Sequence, residues 1–327
     1  MSKIENSKTY LGQELENIFF RPICSGSNNL NLGIKVLYNM PVPTTFHFWH
    51  RPDHVLHKYD SAGWTGSAAA SRYTKTIDLH RVKAEISYSA DEYFSLVYDN
   101  IARNAISQLD DLSGSALENA ETSLFREAIR ESIWATLWLG KTDRPEGLNT
   151  FDGLLHRILT DSESDELCDV LQVQSYSSIN PQNVNTHLKS VWNNAPAELK
   201  AMRSEGNLAF FVTSDVYNAY EEYLDEQNSE AAYLSRQNGH NELLFKGIPV
   251  VDVKITDHLK TYFDLASSFI LLTDTRNIAL ALNTNDFPGS EVRMWYNPDL
   301  MENRQRAIFM AGCDYLLPEL ISLAYEE

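Results

Sequence analysis

Four histidines, His47, His50, His54 and His57, fall close together in the first fifth of the chain. Imidazole is the commonest metal ligand, and on a helix such spacings would bring pairs of rings to one face, as a metal-dependent hydrolase needs. Phe46, Phe48, Trp49 and Pro52 interleave with them, and no Asp or Glu recurs at ligand spacing. The stretch therefore reads as interface or loop histidines, and no metal residue is expected. Gly140-Lys141-Thr142 has the ending of a phosphate-binding loop, but the earlier glycine position is Ala135, and the preceding segment is helical rather than strand-like. Asp161, Glu163 and Asp165 begin like a calcium loop; its turn position is Glu166 instead of Gly and its twelfth residue Gln172 instead of Glu. That run reads as a solvated acidic surface. There is no GxSxG and no GxGxxG. No catalytic residue, cofactor-binding residue or cofactor is expected, and the chain does not read as an enzyme.

The balance of charges excludes other classes. Lys and Arg total 27 against 45 Asp and Glu, a formal charge of −18, so the chain lacks the basic field that grips phosphates. Hydrophobic residues at 43% and charged residues at 22% are those of a globular protein, not a disordered one. No leader-like apolar segment follows the first basic residue, and no stretch reaches the roughly 18 apolar residues of a membrane helix, so neither secretion by that route nor a membrane is expected. Cys24, Cys168 and Cys313 are widely separated and form no CxxC pair, which fits a reducing compartment.

The elements that must position any site follow from periodicity. Residues 1–44, with SGSNNLNLG and MPVPTT, read as an arm lying along something else. Residues 46–75 show no sustained period, and their aromatics argue for an extended loop with a partner. Ile77 and Leu79 alternate on one phase and Val82, Ala84, Ile86 and Tyr88 on the other, which predicts a strand with a bulge near Arg81. Ser89 with Glu92 forms a capping box ahead of Phe94, Val97, Ile101, Ala105 and Leu109 at helical spacing.

A second box, Ser115 with Glu118, opens the longest periodic segment, a helix over 115–139. Leu117, Ala120, Leu124 and Ala128 line one stripe; Phe125, Ile129, Ile133 and Leu137 line the next; and Gly140 is placed as a left-handed stop. A turn-rich exit, GLNTFDGLL, follows. Asn180 and Pro181 read as N-cap and first residue of a helix, NLAFFVT as a strand, and Ser214 as the cap of an acidic amphipathic helix through EEYLDEQ. These predict a small α/β unit over roughly 170–260. LLFKGIPVVDVK, FILLTDTRNIALALN, EVRMWYN, RAIFMAGCDYLL and ELISLAY read as strands.

The order of these elements, with Glu146-Gly147-Leu148, Phe151-Asp152-Gly153-Leu154 and Phe245-Lys246-Gly247-Ile248-Pro249-Val250, resembles the major capsid proteins of tailed double-stranded DNA bacteriophages, the Hong Kong 97 type fold. The resemblance implies an α+β fold: an N-terminal arm over 1–44, an extended loop over 45–76, the first part of a peripheral domain over 77–169 with its spine helix at 115–139, an axial domain over 170–245, and a return to the peripheral sheet over 246–327. It implies a structural subunit that assembles with itself into hexamers and pentamers of an icosahedral head enclosing DNA without sequence-specific binding. A separate scaffolding protein, a portal and possible decoration proteins would be partners, and the location would be the virion capsid, assembled in the host cytoplasm. An encapsulin-type shell shares the fold and is the nearest alternative. Some such proteins cross-link Lys to Asn; Lys58, Lys75, Asn297 and Asn303 are the residues available, but no motif pairs them and no cross-link is predicted.

Overall fold

The computed structural model describes residues 7–21, 33–40, 44–50, 71–89, 116–164, 167, 169–226, 243–255, 258, 268–284 and 291–326. In chain order the elements are β1 (Lys8–Tyr10), α1 (Gly12–Leu15) continuing as a π turn (Glu16–Phe20), β2 (Lys35–Tyr38), β3 (Thr44–His50), β4 (Ser71–Ile77), β5 (His80–Ser89), α2 (Ala116–Leu139) and α3 (Leu154–Ser162). They continue with β6 (Gln172–Tyr176), α4 (Val184–Asn194), α5 (Ala197–Ala201), β7 (Leu208–Val212), α6 (Ser214–Glu226), β8 (Leu243–Phe245) and β9 (Ile248–Asp252). The last are β10 (Phe269–Asp274), β11 (Ile278–Asn283), β12 (Glu291–Asn297), β13 (Glu302–Tyr315) and β14 (Ile321–Glu326). Among the described residues no helix is long and apolar enough to cross a membrane.

Two six-stranded sheets form the body. In the first, the order is β1-β12-β13-β11-β2, and β5 runs along the other edge of the long β13. In the second it is β6-β14-β10-β7-β9-β8. The helix α2, about 36 Å long at 1.5 Å per residue, lies between them. Its Phe125, Ile129, Ile133 and Leu137 are buried, as the second predicted stripe requires, whereas Leu124 of the first stripe is 53% exposed. Trp138 shows why the last two turns, from Ile133 on, are buried all round: its ring stands 5.3 Å from that of Phe211 and 5.7 Å from that of Phe269, both on the second sheet. Phe211, Phe269 and Leu271 face α2, while Phe210, Ile270 and Leu272 face α4, α5 and α6 on the opposite side. With both faces covered, β7 is an unbroken apolar run and β10 begins as one, Phe269 to Leu272.

Several expectations need correction. Arg81 pairs in register with Met310, so there is no bulge there; the phase changes at Asp78 and Leu79, where the chain leaves one sheet for another. Asp78 crosses directly over Gly312, where a Cβ would lie 2.1 Å from the Asp78 carbonyl oxygen. The helix expected from Asn180 starts at Val184, because the Asn180 carboxamide accepts from the Gln182 and Asn183 amides and holds a turn first. Ser214 is already helical, and its hydroxyl donates to Asp252 at 2.9 Å instead of capping. Residues 246–327 divide between the sheets: β9, β10 and β14 belong to the second, β11 to β13 to the first. The helix expected after Ser89 and the Ser115 cap lie outside the described residues.

Candidate assembly surfaces

The segment expected to be irregular contains two strands. Among the described residues β3 and β4 pair with each other alone, Thr44 opposite Ile77 through His50 opposite Ser71, forming a two-stranded ribbon beside the body. Its two faces differ. Phe46, Phe48, Tyr73 and Lys75 are half-buried, with Phe48 6.4 Å from Phe46 and 6.3 Å from Tyr73 between ring centres. Thr45, His47, Arg72, Thr74 and Thr76 are exposed, and the Thr45 and Thr76 hydroxyls meet at 3.0 Å. Alternation was thus present in short form, but interleaved His, Trp and Lys residues masked it. The ribbon root packs as Ile77 with Ala279, Ala281 and Leu316.

A partly buried ionic cluster around the buried Asp314 fixes that root. The Lys75 ammonium lies 3.4 Å from Asp161 on α3, 3.3 Å from Asp314 on β13 and 4.0 Å over the Tyr315 ring. Arg157 of α3 reaches the other Asp314 oxygen at 3.1 Å, and the Tyr315 hydroxyl donates to Asp161. Burial pushes the Asp314 carboxyl up, against the opposing pull of Lys75 and Arg157. Burial, reinforced by Asp314 and Asp161, raises the Tyr73 phenol to about 12. Asp161 is therefore part of a partly buried network, not simply the solvated acid its neighbours suggested.

Beside the cluster, the chain turns back between α2 and α3. Gly140 was expected in a left-handed cap, but the positive φ values fall at Gly147 and Leu148. Gly140 is glycine for closeness: a Cβ would lie 2.2 Å from the Phe151 carbonyl oxygen, and one on Gly153 would lie 2.5 Å from the Gly140 nitrogen. The Gly153 amide donates to the Gly140 carbonyl at 2.8 Å. Asp152 accepts from the Thr142 amide at 2.8 Å and hydroxyl at 2.9 Å. Burial opposes its ionisation, yet these bonds and Arg157 outweigh it and hold the carboxyl below its ordinary range.

The described parts of the arm lie along their own chain, β1 beside β12 and β2 parallel to β11. Glu16, 5% exposed, takes Arg21 at 2.8 Å and the Asn39 carboxamide, while the Asn39 oxygen receives the Thr284 amide at 3.1 Å. At one edge of the second sheet Lys246 and Gly247, with φ 52 and 78, make the two-residue turn joining β8 to β9. Pro249 belongs to β9 instead of the turn, one residue before pairing with β7 begins.

His47 and His50 sit on a strand, so the helical premise of a histidine metal site fails; His54, His57 and Lys58 lie outside the described residues. Among the described residues no three His, Cys, Asp or Glu side chains are placed to hold a metal. Thr142 of the GKT sequence binds Asp152, and Cys313 is buried with its thiol toward the Leu137 and Asp152 carbonyls. Asn303 is buried on β13, and the Asn297 carboxamide accepts the Asp299 amide at 3.0 Å. Sequence reasoning missed the Lys75 cluster, whose members are 75 to 315 in number and share no local signal.

No family model and no curated protein matches the chain. Solved structures do. A chain of the satellite phage P4 procapsid including the size determination (Sid) protein superposes with a TM-score of 0.60 at 12% identity, covering 98% of this chain and 93% of that one. A chain of the capsid of Myoviridae phage XM1 gives 0.53 at 12% identity, with 91% of each covered. A chain of the capsid of the native GTA particle gives 0.56 at 15%, covering 91% of this chain and 89% of that one. The chain has a phage-capsid fold. The mixed helix and sheet architecture matches that fold over nearly the whole of both partners.

Proposed function

We propose that this chain is a structural capsid subunit, which assembles with copies of itself into the hexamers and pentamers of an icosahedral head around double-stranded DNA. The observation that carries the reading is the end-to-end superposition on capsid chains at identities of 12 to 15%. On this reading the divisions are those of the Hong Kong 97 type: arm 1–44, extended loop 45–76 with the ribbon as its stem, peripheral domain from 77 with α2 as spine, and an axial domain beginning at 170. The role is non-enzymatic, and the place of work is the virion capsid, built in the host cytoplasm.

The physics supports a part that is completed by its neighbours. A two-stranded ribbon is marginal by itself, and its aromatic face, though packed partly on the body, keeps some of its surface open. Covering that face against other copies would gain about 25 cal/mol per Å² of apolar area, and repeating one heterologous contact closes rings and shells. A charge of −18 keeps the wall from holding DNA tightly. The P4 structure is named with a size-determination protein; for this chain a separate scaffold, a portal and decoration proteins are the partners proposed.

The test is assembly. Expressed protein, alone and with a candidate scaffold, is expected to give closed particles in negative-stain images, and a variant lacking residues 45–75 is expected to stay a folded monomer or small oligomer by light scattering. Closed particles from the deleted variant would overturn the ribbon's role. A compact monomer that never assembles under any of these conditions would overturn the proposal.

A further inference from the structure

Strand directions place two oppositely charged corners at one level of the second sheet. β6 runs parallel to β14, β14 antiparallel to β10, β10 antiparallel to β7, β7 parallel to β9, and β9 antiparallel to β8. The start of β6, the start of β7 and the β8–β9 turn therefore lie at the same end. β6 and β8 are the two outer strands, some 24 Å apart for six strands at about 4.8 Å spacing.

At the β8 corner the cations are collected by an aromatic ring. Arg203, just before β7, has its guanidinium carbon 5.9 Å from the Trp192 ring centre, and the Lys246 ammonium stands 5.4 Å from it. Arg203 also donates to the Lys246 carbonyl, and Lys200 to that of Asn193 at 2.7 Å. Arg203 and Lys246 are exposed, and neither makes an ion pair among the described residues. Of the nearby acids, Glu205 is taken by Arg276, which also holds Asp274; Glu198 is left on α5. The β6 corner has the opposite character. From Ile158 to Leu188 the sequence has no Lys or Arg, and Glu163 and Asp169, which precede β6, are exposed.

We infer that the basic corner formed by Arg203, Lys246 and Trp192 docks on the acidic corner formed by Glu163 and Asp169 of a second copy of this chain, edge to edge, around the capsomer ring. The inference rests on the capsid reading and adds to it a specific contact. Opposite charges at opposite edges and at the same level are what a head-to-tail ring about an axis along the strands requires. A chain of net charge −18 also has few places where a neighbour's carboxylates are welcome, and this corner is one.

The experiment compares full-length variants for the protein concentration at which particles appear, by light scattering and negative-stain imaging, with circular dichroism melts as the folding control. Arg203→Glu with Lys246→Glu is expected to raise that threshold about tenfold, as a few reversed charges in a repeated contact should. Glu163→Lys with Asp169→Lys, which leaves the Trp192 cluster intact, is expected to do the same. The fourfold variant, with both corners reversed, is expected to return toward the wild-type threshold. Folded double variants that assemble like wild type, or a fourfold variant no better than either double, would overturn the pairing while leaving the capsid reading in place. If the first pair of substitutions fails to fold, the acidic-corner variant decides alone: an unchanged threshold overturns the contact. Wild-type protein that never assembles overturns both.

Discussion

Lys75 ties three segments together, β4, α3 and β13, through a cation held by two carboxylates. Replacing it by Met leaves Asp314, whose side chain is 1% exposed, with Arg157 as its one cation among the described residues. Lys75→Met is expected to cost about 2–4 kcal/mol, because one partner of a buried pair is removed, and to speed amide exchange in β3 and β4 more than in β7. Equal exchange in both regions would show that the cation does not fix the ribbon. Asp152 supplies a pH test. Its folded pKa is lowered, so its contribution is complete above the ordinary aspartate value and is lost as the pH falls through the folded one. Asp152→Asn is expected to be less stable than wild type at neutral pH, with the difference closing in strong acid; a constant gap in denaturant midpoints would contradict that. None of this was legible in sequence. Asp161 sat in a run of acids, and its partners Lys75 and Tyr315 stand 86 and 154 residues away.

Helix α2 was legible almost to the residue, since apolar side chains at 3.6-residue spacing and a glycine stop are local signals. The reason for the glycine was not. Gly140 and Gly153 allow the backbones before α3 to touch, which only tertiary placement shows. Gly140→Val is expected to lower stability by about 2–4 kcal/mol by overpacking against Phe151, read as a calorimetric midpoint; an unchanged midpoint would remove the close contact. The apolar strand runs were likewise visible in sequence, but their allocation to two sheets was not. β10 and β11 are separated by three residues, Thr275–Asn277, yet they enter different sheets. Periodicity within a strand carries no record of which partner it takes.

At the scale of the molecule, α2 is the wall shared by both sheets, with Trp138 against Phe211 and Phe269 and the Cys313 thiol toward the Leu137 carbonyl. Without it each sheet would lose the cover of the face turned toward the other. Far-ultraviolet dichroism and tryptophan fluorescence are therefore expected to report one coincident unfolding transition; two separated transitions would mean the sheets are independent units. The pairings also set a timetable for biosynthesis. β1, β2, β5, β6 and β7 find all their strand partners at β9 or later. A polypeptide interrupted by the ribosome before residue 248 thus owns the ribbon but neither body sheet, so a broken-off translation product has no sheet body to insert among finished copies.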